Sequence, residues 1–197
     1  YFDPATEDLE TIQHHTVDFL GINQYYPKRV RAPRYQWNEQ TPFHPERYYE
    51  VFDLPGKKMN NSRGWEIYPK IMYDIAMYLK ENYRNIPWLI TENGMGREHE
   101  EQYMDEKGIV QDDYRIEFIG QHLRYLIKAA EEGANCEGYM LWAFTDCVSP
   151  MNAFKNRYGL VRIELNDERS RTLKKSASWY QSLIDKRELS LPDEVYK

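Results

Sequence analysis

Three short apolar runs, "VDFLGI" (residues 17–22), "WLIT" (88–91) and "CEGYMLWAF" (136–144), are separated by two segments of helical period. A run that is apolar throughout has no face to give to water, so it needs cover on both sides. Two such strands joined through a helix run parallel, because a crossover returns the chain to the same end of the sheet. The expected fold class is therefore α/β with a parallel sheet.

The helical segments fit this frame. In "YPKIMYDIAMYLKENY" (68–83), Pro69 suits a first turn, and Asn85 and Pro87 stop the helix. Ile67, Ile71, Ile75 and Leu79 recur every fourth residue, which predicts a buried stripe. In "DDYRIEFIGQHLRYLIKAAEEG" (112–133), Asp112 is placed to cap the start and Gly133 to end the helix. Ile116, Ile119, Leu123, Leu126, Ile127 and Ala130 are expected to line its inner face. A short helix over "DLETIQHH", a strand in "LVRIEL" and a final helix near 174–185 complete the chain. Residues 27–64 read as one long rim loop. Five prolines (Pro27, Pro33, Pro42, Pro45 and Pro55) argue against regular structure inside it.

In parallel sheets the chemistry collects beyond the carboxyl ends of the strands. Here those ends carry Asn23 and Tyr25, then Glu92 and Asn93, then Trp142 and Asp146, so all six are expected on one rim. A lone glutamate at a strand end is otherwise a surface or capping residue. The 17 tyrosines suit a sugar-binding cleft, and equally ordinary half-buried packing.

Other classes find little support. A net charge of −6 does not suggest binding to nucleic acid or to an anionic membrane. Cys136 and Cys147 form neither a disulfide framework nor a metal-ligand spacing, which fits a reducing compartment. His14 and His15 have no ligand partners in sequence, so no metal site is expected. No apolar run approaches the roughly 18 residues that a membrane span needs, and no signal-peptide pattern is present. The basic stretch "KRVRAPR" (28–34) could steer an anionic substrate, but a solvated loop explains it better. "REHEEQYMDEKG" (97–108) reads as a solvated acidic loop. The chain opens on "YFDPATEDLE" without an initiator Met, so it is expected to be a piece of something longer.

The words "VDFLGINQYY", "GWEIYP", "ITENGMG", "DDYRIEFIGQHL" and "GYMLWAFTDCVS…NRYGL" occur in this order over nearly the whole chain. In this the sequence resembles glycoside hydrolase family 1, the retaining β-glycosidases built on a (β/α)8 barrel. The resemblance covers the C-terminal part of that barrel only, about strands six to eight with their helices, in a single partial domain (1–197).

The resemblance implies roles. Glu92 matches the nucleophile, which attacks the anomeric carbon. Tyr25 matches the tyrosine that hydrogen-bonds it, and a phenol donor favours the ionised carboxylate. Tyr26 competes for that role if the register slips by one. Asn23 matches a polar position of the cleft, and Trp142 the platform on which the sugar stacks. Retaining chemistry needs a second carboxyl group about 5 Å away. The family carries it in a Thr-x-Asn-Glu-Pro motif that this chain lacks. "NEQTP" (38–42) has similar letters in the wrong place and order and reads as coincidence.

Where family β-glucosidases have a glutamate followed by Trp, this chain has Ser149 and Pro150. A serine there resembles the 6-phospho-β-glycosidase branch, whose serine, lysine and tyrosine hold the 6-phosphate. Hydroxyl, ammonium and phenol groups donate to a phosphate that a carboxylate would repel. Ser149 and Tyr158 match. The branch lysine stands two residues before the tyrosine, where this chain has Asn156; Lys155 lies one residue earlier. Either Lys155 takes over through a shifted loop, or Asn156 contributes a neutral amide.

The implied parent is a cytoplasmic 6-phospho-β-glucosidase that uses no cofactor. The implied substrate is a phosphorylated β-glucoside. A 6-phospho-β-galactosidase, an unphosphorylated β-glucosidase and a non-catalytic sugar- or partner-binding module are the alternatives. A closed barrel takes about 200 residues or more. The chain is therefore expected to join the N-terminal part of the same barrel or to self-associate, and to be inactive alone.

Overall fold

The computed structural model describes residues 4–34, 40, 44–166 and 168–191. Most of "NEQTP" lies outside them. The chain begins with α1 (Thr6–His14), followed by β1 (Leu20–Asn23). Two small antiparallel pairs come next, β2 (Val30–Arg31) with β3 (Glu50–Val51), and β4 (Met59–Asn60) with β5 (Trp65–Glu66). Then follow α2 (Ile71–Asn82), β6 (Trp88–Asn93), α3 (Asp113–Glu131) and β7 (Cys136–Leu141). A β8 (Val161–Ile163) and β9 (Arg171–Leu173) hairpin leads into α4 (Lys175–Lys186).

The three apolar runs form one parallel sheet in the order β1-β6-β7, so β6 is its middle strand. All three strands point their carboxyl ends the same way, as expected. The core lies between β6 and the helix pair α2 and α3. Met72, Ala76 and Leu79 from α2 meet Trp88 and Ile90 from β6 and Leu126 and Ala129 from α3. Burying an aliphatic side chain of this size contributes about 1.5–3 kcal/mol.

Several expected boundaries shift. β1 starts at Leu20 rather than at position 17, leaving Val17 and Phe19 exposed. The Leu20 N–H donates to the Pro87 carbonyl, and proline has no N–H with which to extend the ladder backward. β7 stops at Leu141 because its partner β6 ends at Asn93. The buried line of α2 is Met72, Ala76 and Leu79, with Ile71 and Ile75 flanking it and Ile67 ahead of the helix. On α3 the inner face is rotated. Phe118, His122 and Ala129 are buried, whereas Ile127 and Ala130 face outward. Asp112 occupies the cap position without a side-chain capping bond, because its carboxylate is engaged elsewhere. The loop expected over 27–64 carries three short strands, β2 to β4, and β5 follows directly after it. Its described prolines (Pro27, Pro33, Pro45 and Pro55) fall outside the paired residues, and the Arg31–Glu50 ion pair reinforces one of the pairings.

His122 stands on the buried face of α3. Its Nδ1–H donates to the Phe118 carbonyl at 2.7 Å, and Nε2 is buried without a partner. Burial pushes this imidazole down to about 4. The unfolded chain, with an ordinary histidine, takes up a proton below about pH 6.5, while the folded chain does not until pH approaches 4. Stability is therefore lost as pH falls through that window. The loss from this residue is expected to reach about 2 kcal/mol at pH 5. Denaturant midpoints at pH 7 and pH 5 test it: His122→Leu should show a smaller drop than the parent chain, and equal drops refute the assignment.

No helix among the described residues is long and apolar enough to cross a membrane.

Candidate active site

Glu92 sits at the carboxyl end of the middle strand, paired with Asn23 of β1 across a register shift. The Tyr25 hydroxyl donates to Glu92 Oε2 at 2.8 Å. Tyr26 instead stacks on Trp65 with ring centroids 4.9 Å apart. Burial, and then the bond to Glu92, push the Tyr25 phenol well above its ordinary value, so it remains a proton donor at any working pH. Asn23 turns its side-chain oxygen to the Thr91 hydroxyl at 2.6 Å.

Asn93 joins the three strands. Its Nδ2 donates to the Gln24 carbonyl at 2.7 Å, its Oδ1 accepts from the Tyr139 hydroxyl at 2.7 Å, and its carbonyl accepts from the Trp142 N–H at 2.8 Å. Trp142, 38% exposed, thus starts from a backbone fixed beside Glu92. The two glycines after Glu92 are required by close approach. A Cβ on Gly94 would stand 1.8 Å from the Trp142 carbonyl oxygen, and one on Gly96 would stand 2.4 Å from Tyr158 Cζ. The Tyr158 ring consequently packs on the loop after Glu92, 5% exposed.

The third rim loop is arranged less simply. Ser149 and Ala153 bond to each other through both backbone groups, and the Ser149 hydroxyl accepts from the Met151 N–H at 3.3 Å. Lys155 is largely exposed and pairs with Glu98 at 3.4 Å. Asn156 has no accessible surface, and its amide donates to the same carboxylate at 3.3 Å. The rim therefore gathers Glu92, Tyr25, Asn23, Trp142 and Tyr158, while Lys155 and Asn156 converge on Glu98.

Beneath the loop lies an ion cluster that a charge-pattern reading misses. Glu100 belongs to the stretch read as a solvated acidic loop, yet it is 3% exposed. It accepts from Arg115 Nη2 at 2.5 Å, from Lys174 Nζ at 2.5 Å and from the Tyr114 hydroxyl at 2.6 Å. Burial would push its carboxyl up, but the Arg115 and Lys174 charges outweigh burial and hold it low. Lys174 also reaches Asp146 at 2.9 Å. Arg115 pairs with Asp112 and donates to the Arg157 carbonyl at 2.9 Å. The strand-end Asp146 thus faces inward as an anchor, not into the cleft. The basic stretch 28–34 is likewise engaged, Arg29 with Glu66 and Arg31 and Arg34 with Glu50. Among the described residues, no group of three His, Cys, Asp or Glu side chains is placed to hold a metal ion.

A model of Glycosyl hydrolase family 1 matches residues 4–189. The chain belongs to this family. It is similar to the 6-phospho-beta-glucosidase GmuD of Bacillus subtilis (strain 168), 51% identical over 183 residues, covering 93% of this chain and 39% of that protein. It is also similar to a 6-phospho-beta-galactosidase of Staphylococcus haemolyticus (strain JCSC1435), 38% identical over 188 residues, covering 87% of this chain and 38% of that protein. Among solved structures, a family 1 b-glucosidase from Thermotoga maritima superposes with a TM-score of 0.76 at 27% identity, covering 93% of this chain and 38% of that chain. The chain thus spans about two fifths of its relatives' length, and its three parallel strands with their helices are the C-terminal part of the family's TIM barrel.

Proposed function

We infer that the protein to which this chain belongs hydrolyses 6-phospho-β-glucosides with retention of configuration, in carbohydrate metabolism. The observation that carries this reading is the Tyr25–Glu92 hydrogen bond at the carboxyl end of the middle strand. Glu92 attacks the anomeric carbon and displaces the aglycone oxygen, which takes a proton from an acid supplied by the other part of the barrel. The product is a covalent glycosyl ester on Glu92. The same acid, now a base, takes a proton from water, and the hydroxyl formed attacks the anomeric carbon and frees Glu92. Tyr25 holds the carboxylate in one rotamer through both steps, and Trp142 offers a flat apolar face to the sugar.

The phosphate part of the reading is supported by Ser149 in place of an acidic residue, by Tyr158, and by the similarity to a 6-phospho-β-glucosidase. A phosphorylated sugar does not cross a membrane unaided, so a cytoplasmic site of action goes with this substrate. The similarity to a 6-phospho-β-galactosidase favours galactosides as the second reading.

The missing acid bears on the partner. Among the described residues, the outer edges of β1 and β7 carry no further strand of the parallel sheet. Beside β7 a groove of about 420 Å³ is lined by Leu141, Phe144, Leu160, Leu173, Tyr180 and Ile184. The N-terminal part of the same barrel is the proposed occupant, supplying both the next strands and the acid.

The test is hydrolysis by the intact barrel of an aryl β-glucoside 6-phosphate and its unphosphorylated counterpart. The expected kcat/KM ratio is at least about 100 in favour of the phosphate, the worth of two charge-assisted hydrogen bonds. Equal rates would leave a plain β-glucosidase, and a preference for the galactoside 6-phosphate would support the second reading.

A further inference from the structure

On the loop before Tyr158, the 6-phosphate finds no free cation. Lys155 is paired with Glu98, and Asn156 is uncharged, buried and bonded to the same carboxylate. A phosphate held there by Ser149 and Tyr158 alone would meet two neutral donors, with a like charge nearby on Glu98.

A cation stands on a neighbouring turn. The turn between β4 and β5 carries Arg63, whose guanidinium carbon lies 4.4 Å over the Trp65 ring. Its Nε is buried without a hydrogen-bond partner, and it has no carboxylate partner among the described residues. The turn is fastened to the nucleophile loop. Asn60 Nδ2 donates to the Gly96 carbonyl at 3.0 Å, and the Glu98 N–H donates to Ser62 Oγ at 3.1 Å. The Tyr158 ring rests against Gly96, so Arg63 and Tyr158 share one wall. Burial pushes the Tyr158 phenol up, and the facing Arg63 charge offsets part of that rise. Trp65 in turn lies 5.4 Å from the Tyr25 ring, whose hydroxyl holds Glu92.

We propose that Arg63, together with the Tyr158 hydroxyl, binds the phosphate on C6 of the sugar, in place of a lysine on the Ser149 loop. The proposal rests on the phosphorylated-substrate reading. A guanidinium presents two parallel N–H groups to two phosphate oxygens, a match that an ammonium lacks. Stacking on Trp65 restrains the side chain before the ligand arrives, which lowers the ordering cost of binding. The assignment also gives a reason for Lys155 to remain with Glu98.

The test uses the intact barrel with the two aryl glucosides and the variants Arg63→Met and Arg63→Lys. If the unsubstituted enzyme does not prefer the phosphorylated substrate, the functional reading fails before any variant is compared. Given that preference, Arg63→Met is expected to lower the phosphorylated-to-plain ratio of kcat/KM about tenfold or more, through KM for the phosphorylated substrate. Arg63→Lys should recover part of the ratio. An unchanged ratio in Arg63→Met overturns the proposal, because a residue that only packs on Trp65 lowers both substrates together. Should Arg63→Met fail to fold, Arg63→Lys carries the same comparison: a lowered ratio supports phosphate contact, and an unchanged one refutes it.

Discussion

Replacing Glu92 by alanine in the intact barrel is expected to abolish turnover, on the order of 10⁴-fold or more, while leaving substrate binding nearly intact. The reason is local. Glu92 lies on the middle strand, held by a 2.8 Å bond from Tyr25 and flanked by Asn23 on one side and the Asn93–Trp142 bond on the other. Removing the carboxylate deletes the bond-forming atom but none of the groups proposed to grip the sugar. The cavity left behind also admits a small anion. Added azide should attack the anomeric carbon from the vacated side and yield the α-glycosyl azide. Burst kinetics, product stereochemistry and a binding titration check these outcomes. Retention of more than about one hundredth of the parent rate would show that position 92 does not form the covalent bond.

The second large effect concerns stability. Arg115→Leu is expected to cost about 3–5 kcal/mol, because it leaves a buried carboxylate short of its counter-charge. Arg115 and Asp112 are fully buried, and Glu100 nearly so. Lys174 would then have to balance Glu100 while still serving Asp146, which keeps Arg157 at 3.4 Å. The Arg157 carbonyl, next to Tyr158, would lose one of its two donors and keep the Arg97 N–H. Denaturant unfolding measures the cost. The double change Arg115→Leu with Glu100→Leu should recover part of it, since removing both charges leaves less unpaired than removing one. A single-variant cost below about 1 kcal/mol would mean that water reaches the cluster.

The sheet was legible because strands buried on both faces leave continuous apolar runs, and "WLIT" and "CEGYML" could be read on composition alone. The position of Glu92, Tyr25 and Trp142 at the strand ends was legible because each apolar run gives way there to polar or aromatic residues, while the roles proposed for them come from the family resemblance. Helix faces were read with an error of about one residue, since Met72 and Ala76 are as buried as the isoleucines were expected to be. β2 to β5 and β9 were missed because two- and three-residue strands have no period to detect. The ion cluster was missed for a different reason. Glu100, Asp112, Arg115 and Lys174 are spread over 75 positions, counting both ends, and only folding shows that their charges cancel. Arg63 is no more legible: Trp65 stands two residues on, but Tyr158 lies 95 positions away on another loop.

The central place of β6 has a practical consequence. Among the described residues, the hydrogen bonds that orient Glu92 come from within the stretch from Leu20 to Trp142. An engineer dividing the barrel into a two-piece reporter should therefore break the polypeptide ahead of α1. A break between β1 and β6 would place Tyr25 and Glu92 on different pieces, and reconstitution would then have to rebuild the pair itself.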